Sequence, residues 1–248
     1  MSLLFYVAHC PFDEKSQNIL QVCIESIQKH HPDSEIIVLY SESRLPCVLK
    51  VASPNIQVSL SPIQNSSVIG CFYHYLQSNT EKKAVFLHDS MILRENLEPY
   101  IKYDFAFLWD FDGEVYKGLH SIICEDIKGS LATAMNNYPN NPYLGCFGLC
   151  VYSDRKSMEK LWNALDFLYY VNHPQRTNAF MDLERVLGFH ASLLGLGNPS
   201  LCGSIIGSPR CFNRWYENQT LEEIENMGYQ TPIIKTWMSR FIRESSNT

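Results

Sequence analysis

The order of the apolar runs is the feature that most constrains the fold of this chain. Short apolar runs suited to buried strands alternate with longer stretches in which apolar residues recur at helical spacing. Strand, helix, strand, helix, strand is the order of a mostly parallel sheet that is covered by helices. The sequence therefore predicts an α/β domain whose central sheet contains residues 3–8, 35–40, 84–88 and 104–109.

Apolar residues at helical spacing predict the covering helices. One stretch ends near residue 30, a second covers residues 66–79, and a third covers residues 181–195. Asp154 stands directly before another such stretch, where an aspartate side chain can accept hydrogen bonds from the first backbone N–H groups of a helix. We therefore expect helices between and after the predicted strands.

The C-terminal part of the chain has a less regular pattern. Its spacing predicts a short helix near residues 220–227 and a terminal helix near residues 235–243. We therefore expect one main domain over residues 1–207 and a helical extension over residues 208–248 that packs on the same domain. The chain has 248 residues, 46% of them hydrophobic, which suits a single large core.

Composition excludes several classes of function. The formal net charge of −6 provides no basic field for nucleic-acid phosphates. No apolar run approaches the roughly 20 residues that span a bilayer, and the N-terminus lacks the basic start of a signal peptide. The nine cysteines include no C-x-x-C pair and lie mostly in apolar runs, which indicates free thiols in a reducing compartment. We expect a soluble protein of the cytoplasm, or of the host cytoplasm for a viral protein, with no transmembrane segment and no nucleic-acid partner.

Polar residues follow the predicted strands at their carboxyl ends. They are His9-Cys10, Ser41-Glu42, His88-Asp89-Ser90 and Asp110-Phe111-Asp112. Ligands of open parallel sheets bind at this edge of the sheet. Polar residues also end strands for purely structural reasons, because they begin turns. The sequence directs the search for a site to this edge.

The stretch WDFDGE, which contains Asp110 and Asp112, allows a phosphatase interpretation. It resembles the D-x-D-G-T motif of haloacid-dehalogenase-type phosphatases, in which the first aspartate attacks phosphorus, the second is the acid/base, and both help to hold Mg²⁺. The resemblance implies these roles for Asp110 and Asp112. Glu114 stands where the motif has threonine, and three predicted strands precede a motif that normally opens the fold.

A longer series of segments resembles the nucleotide-sugar glycosyltransferases of the GT-A fold, with a GT2-like character, over residues 2–207. In chain order the segments are FYVAHCPFD, IIVLYSES, IQNSSVIGCFYHYL, KAVFLHDSMIL, NPYLGCFGLCVYSDRKSMEKLW and FMDLERVLGFHASLLG. The first two correspond to the lining of the nucleoside pocket, the fourth to the strand that ends in the family's D-x-D, and the last two to the acceptor side. The resemblance implies a Rossmann-like, mostly parallel sheet with flanking helices.

The resemblance also implies which residues contact the donor. His9, Ser41, Glu42 and Asn65 are expected to contact the nucleotide, although each also fits a polar loop. Asp110 and Asp112 are expected to join the donor site if their strand neighbours the strand of Asp89; the two aspartates follow the next predicted strand in the chain.

The family's D-x-D corresponds here to the degenerate His88-Asp89-Ser90. In the family, its carboxylates hold Mg²⁺ or Mn²⁺ against the sugar diphosphate. The resemblance implies that His88 and Asp89 are the metal ligands, and imidazole favours Mn²⁺ over Mg²⁺. Two alternatives stay open: a metal-independent enzyme that uses Lys, Arg or backbone N–H groups on the diphosphate, or a protein of this fold that has lost activity.

A catalytic base is the last implication of the resemblance. An inverting transferase needs a carboxylate that takes the proton of the acceptor hydroxyl. Asp182, at the start of a predicted helix, is the first choice, and Glu184 is the second. Asp182 can also be a helix cap and Glu184 a solvated side chain.

Together these patterns predict an inverting hexosyl- or pentosyltransferase. It would move a sugar from a UDP- or GDP-sugar to a hydroxyl group of a glycan or another acceptor. The first alternative is a metal-dependent phosphatase that uses Asp110 and Asp112. The second is a catalytically silent protein that binds nucleotide sugars.

Overall fold

The computed structural model has an α/β fold with a mostly parallel central sheet and flanking helices, as the sequence predicts. It describes residues 2–11, 14–41, 49, 53–64, 66–112, 143–165, 167, 179–197, 199–205, 212–214, 220–226 and 231–237.

The strands of the described residues are short and mostly apolar. They are β1 (Leu4–His9), β2 (Glu35–Tyr40), β3 (Ile56–Leu60), β4 (Ala84–His88), β5 (Met91–Leu93), β6 (Phe105–Phe107), β7 (Asp110–Asp112), β8 (Leu144–Cys146), β9 (Val151–Ser153), β10 (Phe212–Arg214) and β11 (Ile233–Trp237). The central sheet has the strand order β3-β2-β1-β4-β9-β6. All four strand segments predicted from the sequence therefore lie in one sheet.

The central sheet is parallel over its first four strands. Strand β1 pairs in parallel with β2 and β4, and β2 pairs in parallel with β3. Strand β9 runs antiparallel to both β4 and β6. Strand β6 therefore has the same direction as the first four strands, and all five have their carboxyl ends at one edge of the sheet.

Helices flank the sheet where the spacing of apolar residues predicts them. They are α1 (Glu14–His30), α2 (Ser67–Gln77), α3 (Arg155–Ala164), α4 (Ala179–Leu193) and α5 (Leu221–Glu225). The Asp154 side chain accepts a hydrogen bond from the Ser157 N–H at 2.8 Å, which confirms the predicted cap of α3. Over the described part of the chain, none of these helices combines the length and the apolar character needed to cross a bilayer.

Strand β1 shows how the helices cover both faces of the sheet. Successive side chains of a strand point to opposite faces. Leu4 and Tyr6 belong to the core cluster under α2, α3 and α4, whereas Phe5 and Val7 belong to the cluster under α1. All four side chains are buried, and each large apolar side chain contributes about 1.5–3 kcal/mol by leaving water.

The C-terminal part of the chain differs from the predicted helical extension. Helix α5 lies within the predicted short helix, but residues 233–237 form strand β11 and not the start of a terminal helix. Strand β11 pairs antiparallel with β5 and parallel with β10. Ile233 and Ile234 are fully buried in this second sheet, so pairing with β5 overrides the local helical spacing. Residues 238–243 lie outside the described residues, and the boundary at residue 207 stays a prediction.

Arg155 joins two helices on the same face of the sheet. Its guanidinium donates to the Leu76 carbonyl at 2.7 Å and to the Ser78 carbonyl at the end of α2. We expect Arg155→Ala to lower the free energy of unfolding by about 1.5–3 kcal/mol, because hydrogen bonds from a charged donor are lost. Urea unfolding measures the change. The neighbouring exposed Lys156→Ala is the control, and an equal effect of both substitutions would contradict the assigned role of Arg155.

Candidate functional site

The carboxyl ends of β1 and β4 bring His9 and Asp89 into contact. The two strands are parallel neighbours, with Ala8 opposite His88. The Nδ1 atom of His9 lies 2.7 Å from Oδ2 of Asp89, and both side chains are buried. A carboxylate accepts, so Nδ1 of His9 is the donor in this hydrogen bond. The structure thus places two residues proposed for the donor site side by side.

Asp89 is held as an anion in spite of its burial. Burial alone raises the pKa of this carboxyl, but the hydrogen bond from His9 and the electrostatic interactions with His9 and Lys235 outweigh it. The pKa of Asp89 therefore lies below its ordinary value. The buried Nε2 atom of His9 has no hydrogen-bond partner among the described residues. A buried polar atom in this state points to a ligand or a water molecule as its partner.

His88 contacts the backbone of the loop before β9. Its Nε2 atom lies 2.6 Å from the Gly148 carbonyl oxygen, to which it donates. Burial and the nearby Lys235 charge lower the pKa of His88 to about 4, so the imidazole is neutral at pH 7. Gly148 has a φ of 66°, and a Cβ there would lie 3.4 Å from Nε2 of His88. Glycine at this position therefore allows both the turn and the close contact.

Glu184 reaches the same backbone unit from α4. The Gly148 N–H donates to Oε1 of Glu184 at 2.7 Å. Burial raises the pKa of Glu184 to about 7, although this hydrogen bond and the charges of Arg185 and Lys235 oppose the rise. Gly148 therefore contacts both His88, the residue before Asp89, and Glu184, the second candidate base. A carboxyl group with a pKa near neutrality is suited to accept and release a proton.

Lys235, on β11, contacts Ser90 and interacts with Asp89 and Glu184; these four residues are called the cluster below. Its ammonium donates to the Ser90 hydroxyl, and the Ser90 carbonyl accepts from the Thr236 N–H at 2.8 Å and from the Thr236 hydroxyl at 3.0 Å. Lys235 is partly buried, and burial lowers its pKa. Its charge interacts with Asp89 and Glu184, among other groups. The cluster thus gathers a cation and two acids at the carboxyl edge of the sheet.

The predicted metal ligands do not by themselves fit a divalent cation. Among the described residues, no group of three or more His, Cys, Asp and Glu side chains is arranged to hold one. Nε2 of His88 is bonded to Gly148, and Oδ2 of Asp89 is bonded to His9. The positive charge of Lys235, which interacts with Asp89, opposes the binding of a divalent cation beside this carboxylate.

The other nucleotide-contact predictions are only partly covered. The Ser41 N–H donates to the His9 carbonyl at 3.1 Å, so Ser41 adjoins the His9–Asp89 pair. Glu42 and Asn65 lie outside the described residues. Asp182 lies in the first turns of α4, as predicted, but its side chain is outside the described part of the chain. The roles of these residues stay predictions.

The strand before Asp110 does not neighbour β4, the strand before Asp89, as the predicted donor-site role of Asp110 required. Strand β9 separates β6 from β4, so the strands leading to Asp110 and Asp89 are not neighbours. Asp110 pairs with Cys146 in the two-stranded antiparallel sheet of β7 and β8 and accepts a hydrogen bond from the Ser200 hydroxyl at 2.6 Å. The Asp112 side chain is not among those described. Asp110 nevertheless follows β6, whose carboxyl end lies at the same edge of the central sheet as that of β4.

Sequence reasoning missed Lys235 and the bridging role of Gly148. A lysine between the apolar residues of IIKTW is a signal that was available, because a lysine in a buried strand needs a partner. The spacing of the residues suggested a terminal helix here, so the lysine was not recognised as part of a buried strand. The backbone of Gly148 is contacted by the His88 ring and by the Glu184 carboxyl, and both contacts depend on the tertiary structure.

Comparison with known proteins finds similarity in structure but not in sequence. No family model matches the chain, and no curated protein matches it significantly. One similar solved structure is the galactosyltransferase LgtC in complex with donor and acceptor sugar analogues. It is 12% identical, with 96% of this chain and 88% of that chain covered and a TM-score of 0.45.

Two further similar structures are also glycosyltransferases. GlyE of Streptococcus pneumoniae TIGR4 is 9% identical, with a TM-score of 0.40 over 81% of this chain and 45% of that chain. The bifunctional WbbM is 11% identical, with a TM-score of 0.43 over 94% of this chain and 45% of that chain.

Proposed function

We propose that this protein transfers a sugar from a nucleotide-sugar donor to a hydroxyl group of an acceptor. The observation that carries the proposal is the convergence of Asp89, Glu184 and Lys235 at the carboxyl edge of a mostly parallel sheet. Transfer from a sugar diphosphate needs a positive charge for the leaving group and a base for the acceptor. The cluster contains both kinds of group: the Lys235 ammonium is the positive charge, and the Glu184 carboxylate is the base.

The donor side of the proposed site lies at the ends of β1, β2 and β4. The Nε2 atom of His9 is buried without a hydrogen-bond partner among the described residues, and the Ser41 N–H donates to the His9 carbonyl. We assign these residues, with Glu42 and Asn65, to the nucleotide of a UDP- or GDP-sugar. In this assignment Asp89 orients His9 through their hydrogen bond and stabilises the Lys235 ammonium.

The acceptor side of the proposed site lies at the start of α4. Glu184 is anchored through one oxygen by the Gly148 N–H, which fixes its orientation. We assign Glu184 as the base of an inverting transfer, with Asp182 as the other candidate on the same helix. An acceptor hydroxyl within hydrogen-bond reach of the carboxylate would lose its proton to it as the sugar is transferred.

The state of the cysteines supports a cytoplasmic location within this proposal. Among the described residues six cysteines are free; they are Cys10, Cys23, Cys71, Cys146, Cys150 and Cys202. Burial raises the pKa of several of these thiols, which keeps them protonated and unreactive. Free thiols persist in a reducing compartment.

A nucleotide and nucleotide-sugar panel tests the proposed function. We expect a UDP- or GDP-sugar to raise the melting temperature, because a ligand at about 100 times its dissociation constant adds about 2.7 kcal/mol to the stability. We also expect slow release of the nucleoside diphosphate from that sugar, with water as the acceptor. A generic phosphomonoester should release no phosphate.

Other outcomes of the panel would contradict the proposal in different ways. Phosphate release from the phosphomonoester, abolished by Asp110→Asn, would indicate the phosphatase. Binding of a nucleotide sugar without turnover on any acceptor would indicate a silent binding protein. Failure to bind any nucleotide or nucleotide sugar would contradict the proposed role of the cluster in sugar transfer.

A further inference from the structure

The third position of His88-Asp89-Ser90 is used to hold a cation. In the resembling family this position supplies a second carboxylate, but here it is a serine. The Ser90 hydroxyl accepts a hydrogen bond from the Lys235 ammonium. Where the family has a metal-binding carboxylate, this chain therefore has a serine that contacts a positively charged lysine.

The backbone fixes the position of Lys235 beside Ser90. Strand β11 pairs antiparallel with β5, and Lys235 is opposite Met91 in the register. The adjacent Thr236 donates both its N–H and its hydroxyl to the Ser90 carbonyl. Ile234 and Thr236, on either side of Lys235, are buried. The ammonium is therefore presented by a paired strand and not by a free loop.

Two acidic side chains and one hydroxyl group surround the Lys235 ammonium. Asp89, directly after β4, and Glu184, on α4, interact with it electrostatically. An ammonium has three N–H donors, and one of them is engaged by Ser90. The Lys235 side chain as a whole is partly exposed. Lysine binds phosphate oxygens as a compact point charge.

We propose that the Lys235 ammonium binds the phosphate oxygens of the donor in place of a divalent metal ion, so that nucleotide binding needs no metal. This inference rests on the proposed function and names the cation of its site. The departing nucleoside diphosphate is then stabilised by a charge that belongs to the chain. His88 stays a neutral group hydrogen-bonded to Gly148 and is not a metal ligand.

The first test uses the unaltered protein. UDP, GDP and inorganic pyrophosphate are titrated calorimetrically into protein treated with EDTA, and again with added Mn²⁺ or Mg²⁺. We expect UDP or GDP to bind after EDTA treatment, with an affinity that changes less than about threefold on addition of either metal. Binding that disappears with EDTA and returns with Mn²⁺ would overturn the inference and leave the proposed function standing.

The second test changes the charge of Lys235. Lys235→Met keeps the length of the side chain and removes its charge. We expect the affinity for UDP or GDP, and for pyrophosphate, to fall about 10- to 100-fold, as for the loss of a hydrogen bond between charged groups. The affinity for uridine or guanosine, which lack phosphates, should be unchanged. Equal affinity of Lys235→Met and the unaltered protein for the diphosphates would overturn the inference.

Control variants separate a local loss from a folding defect. Lys82→Met removes another partly buried lysine, which pairs with Glu35 at 2.6 Å at the opposite edge of the sheet, and should leave diphosphate affinity unchanged. If Lys235→Met does not fold, Ser90→Ala keeps the ammonium and removes its anchor, and we expect a loss of about three- to tenfold in diphosphate affinity. No loss in Ser90→Ala would count against the inference. If neither UDP nor GDP binds the unaltered protein under any condition, the proposed function fails together with it.

Discussion

Replacing Glu184 with Gln is expected to lower the turnover number by about 10²–10⁴-fold, the usual contribution of a general base. Glutamine keeps the shape of the side chain and the hydrogen bond from Gly148 but cannot accept the proton. The affinity for the nucleotide should stay nearly unchanged, because Glu184 is assigned to the acceptor side. Release of the nucleoside diphosphate from the donor measures turnover, and calorimetry measures affinity.

The pH dependence gives a second measure of the same role. Burial raises the pKa of Glu184 to about 7, so the carboxyl is protonated below this pH and cannot act as a base. We therefore expect kcat to increase with pH through about 7 in the unaltered protein. The residual activity of Glu184→Gln should lack this increase, since the titrating group has been removed.

The controls for Glu184 are two other acidic residues. Glu222→Gln, on the exposed side of α5, should have no effect on turnover. Asp182→Asn tests the other candidate base. Loss of activity in Asp182→Asn with full activity in Glu184→Gln would transfer the role to Asp182. Full activity in both would refute the assignment and point to a retaining mechanism or to another base.

Gly188→Ala is expected to lower the free energy of unfolding by about 2–3 kcal/mol, within the range of overpacked cores. A Cβ at this position would lie 1.9 Å from the Leu144 carbonyl oxygen and 3.0 Å from Cα of Gly145. Both atoms belong to the backbone of β8, so the clash cannot be relieved by rotating a side chain. The loss should exceed the gain of about 1 kcal/mol that alanine normally brings to a helix.

The same substitution should also reduce activity. Helix α4 must move away from β8 to accommodate the methyl group, and Glu184 lies one turn before Gly188 on this helix. A displacement of about 1 Å at a catalytic group can cost about 10²-fold in rate. The hydrogen bond between Glu184 and Gly148 depends directly on this helix position.

Gly197→Ala is the matched control for Gly188→Ala. A Cβ at Gly197 would have Ser192 Cα at 3.4 Å as its nearest neighbour, which is an ordinary contact distance. Urea unfolding of the two variants should therefore differ by about 2 kcal/mol or more. Equal stability of both variants would show that α4 and β8 are not packed as closely as described.

Much of the central sheet could be predicted because its signal is local. The apolar runs of β1, β2 and β4 are continuous and bounded by polar residues, which is typical of strands buried on both faces. The cap at Asp154 also depends only on the next three residues. The polar residues His9 and Asp89 were placed at one edge of the sheet by the direction of parallel strands alone.

The strand β11 shows where local patterns fail. Ile233, Ile234 and Trp237 recur at a spacing that also fits one face of a helix. Pairing with β5, which is distant in the sequence, selects the extended conformation instead. No local rule encodes this choice, because strand propensity depends on the neighbouring strands and on burial.

The sequence by itself determined the α/β class, the strand ends and most candidate side chains, because hydrophobic periodicity depends on neighbouring residues. Only the tertiary structure decided how these side chains are paired. Gly148 between His88 and Glu184, and Lys235 beside Ser90, join residues that are far apart in the chain. Such contacts depend on strand order and register, and electrostatic interactions depend on distance and burial. Asp89 and Glu184 could be predicted from the sequence, but the position of Lys235 near them could be found only from the tertiary structure.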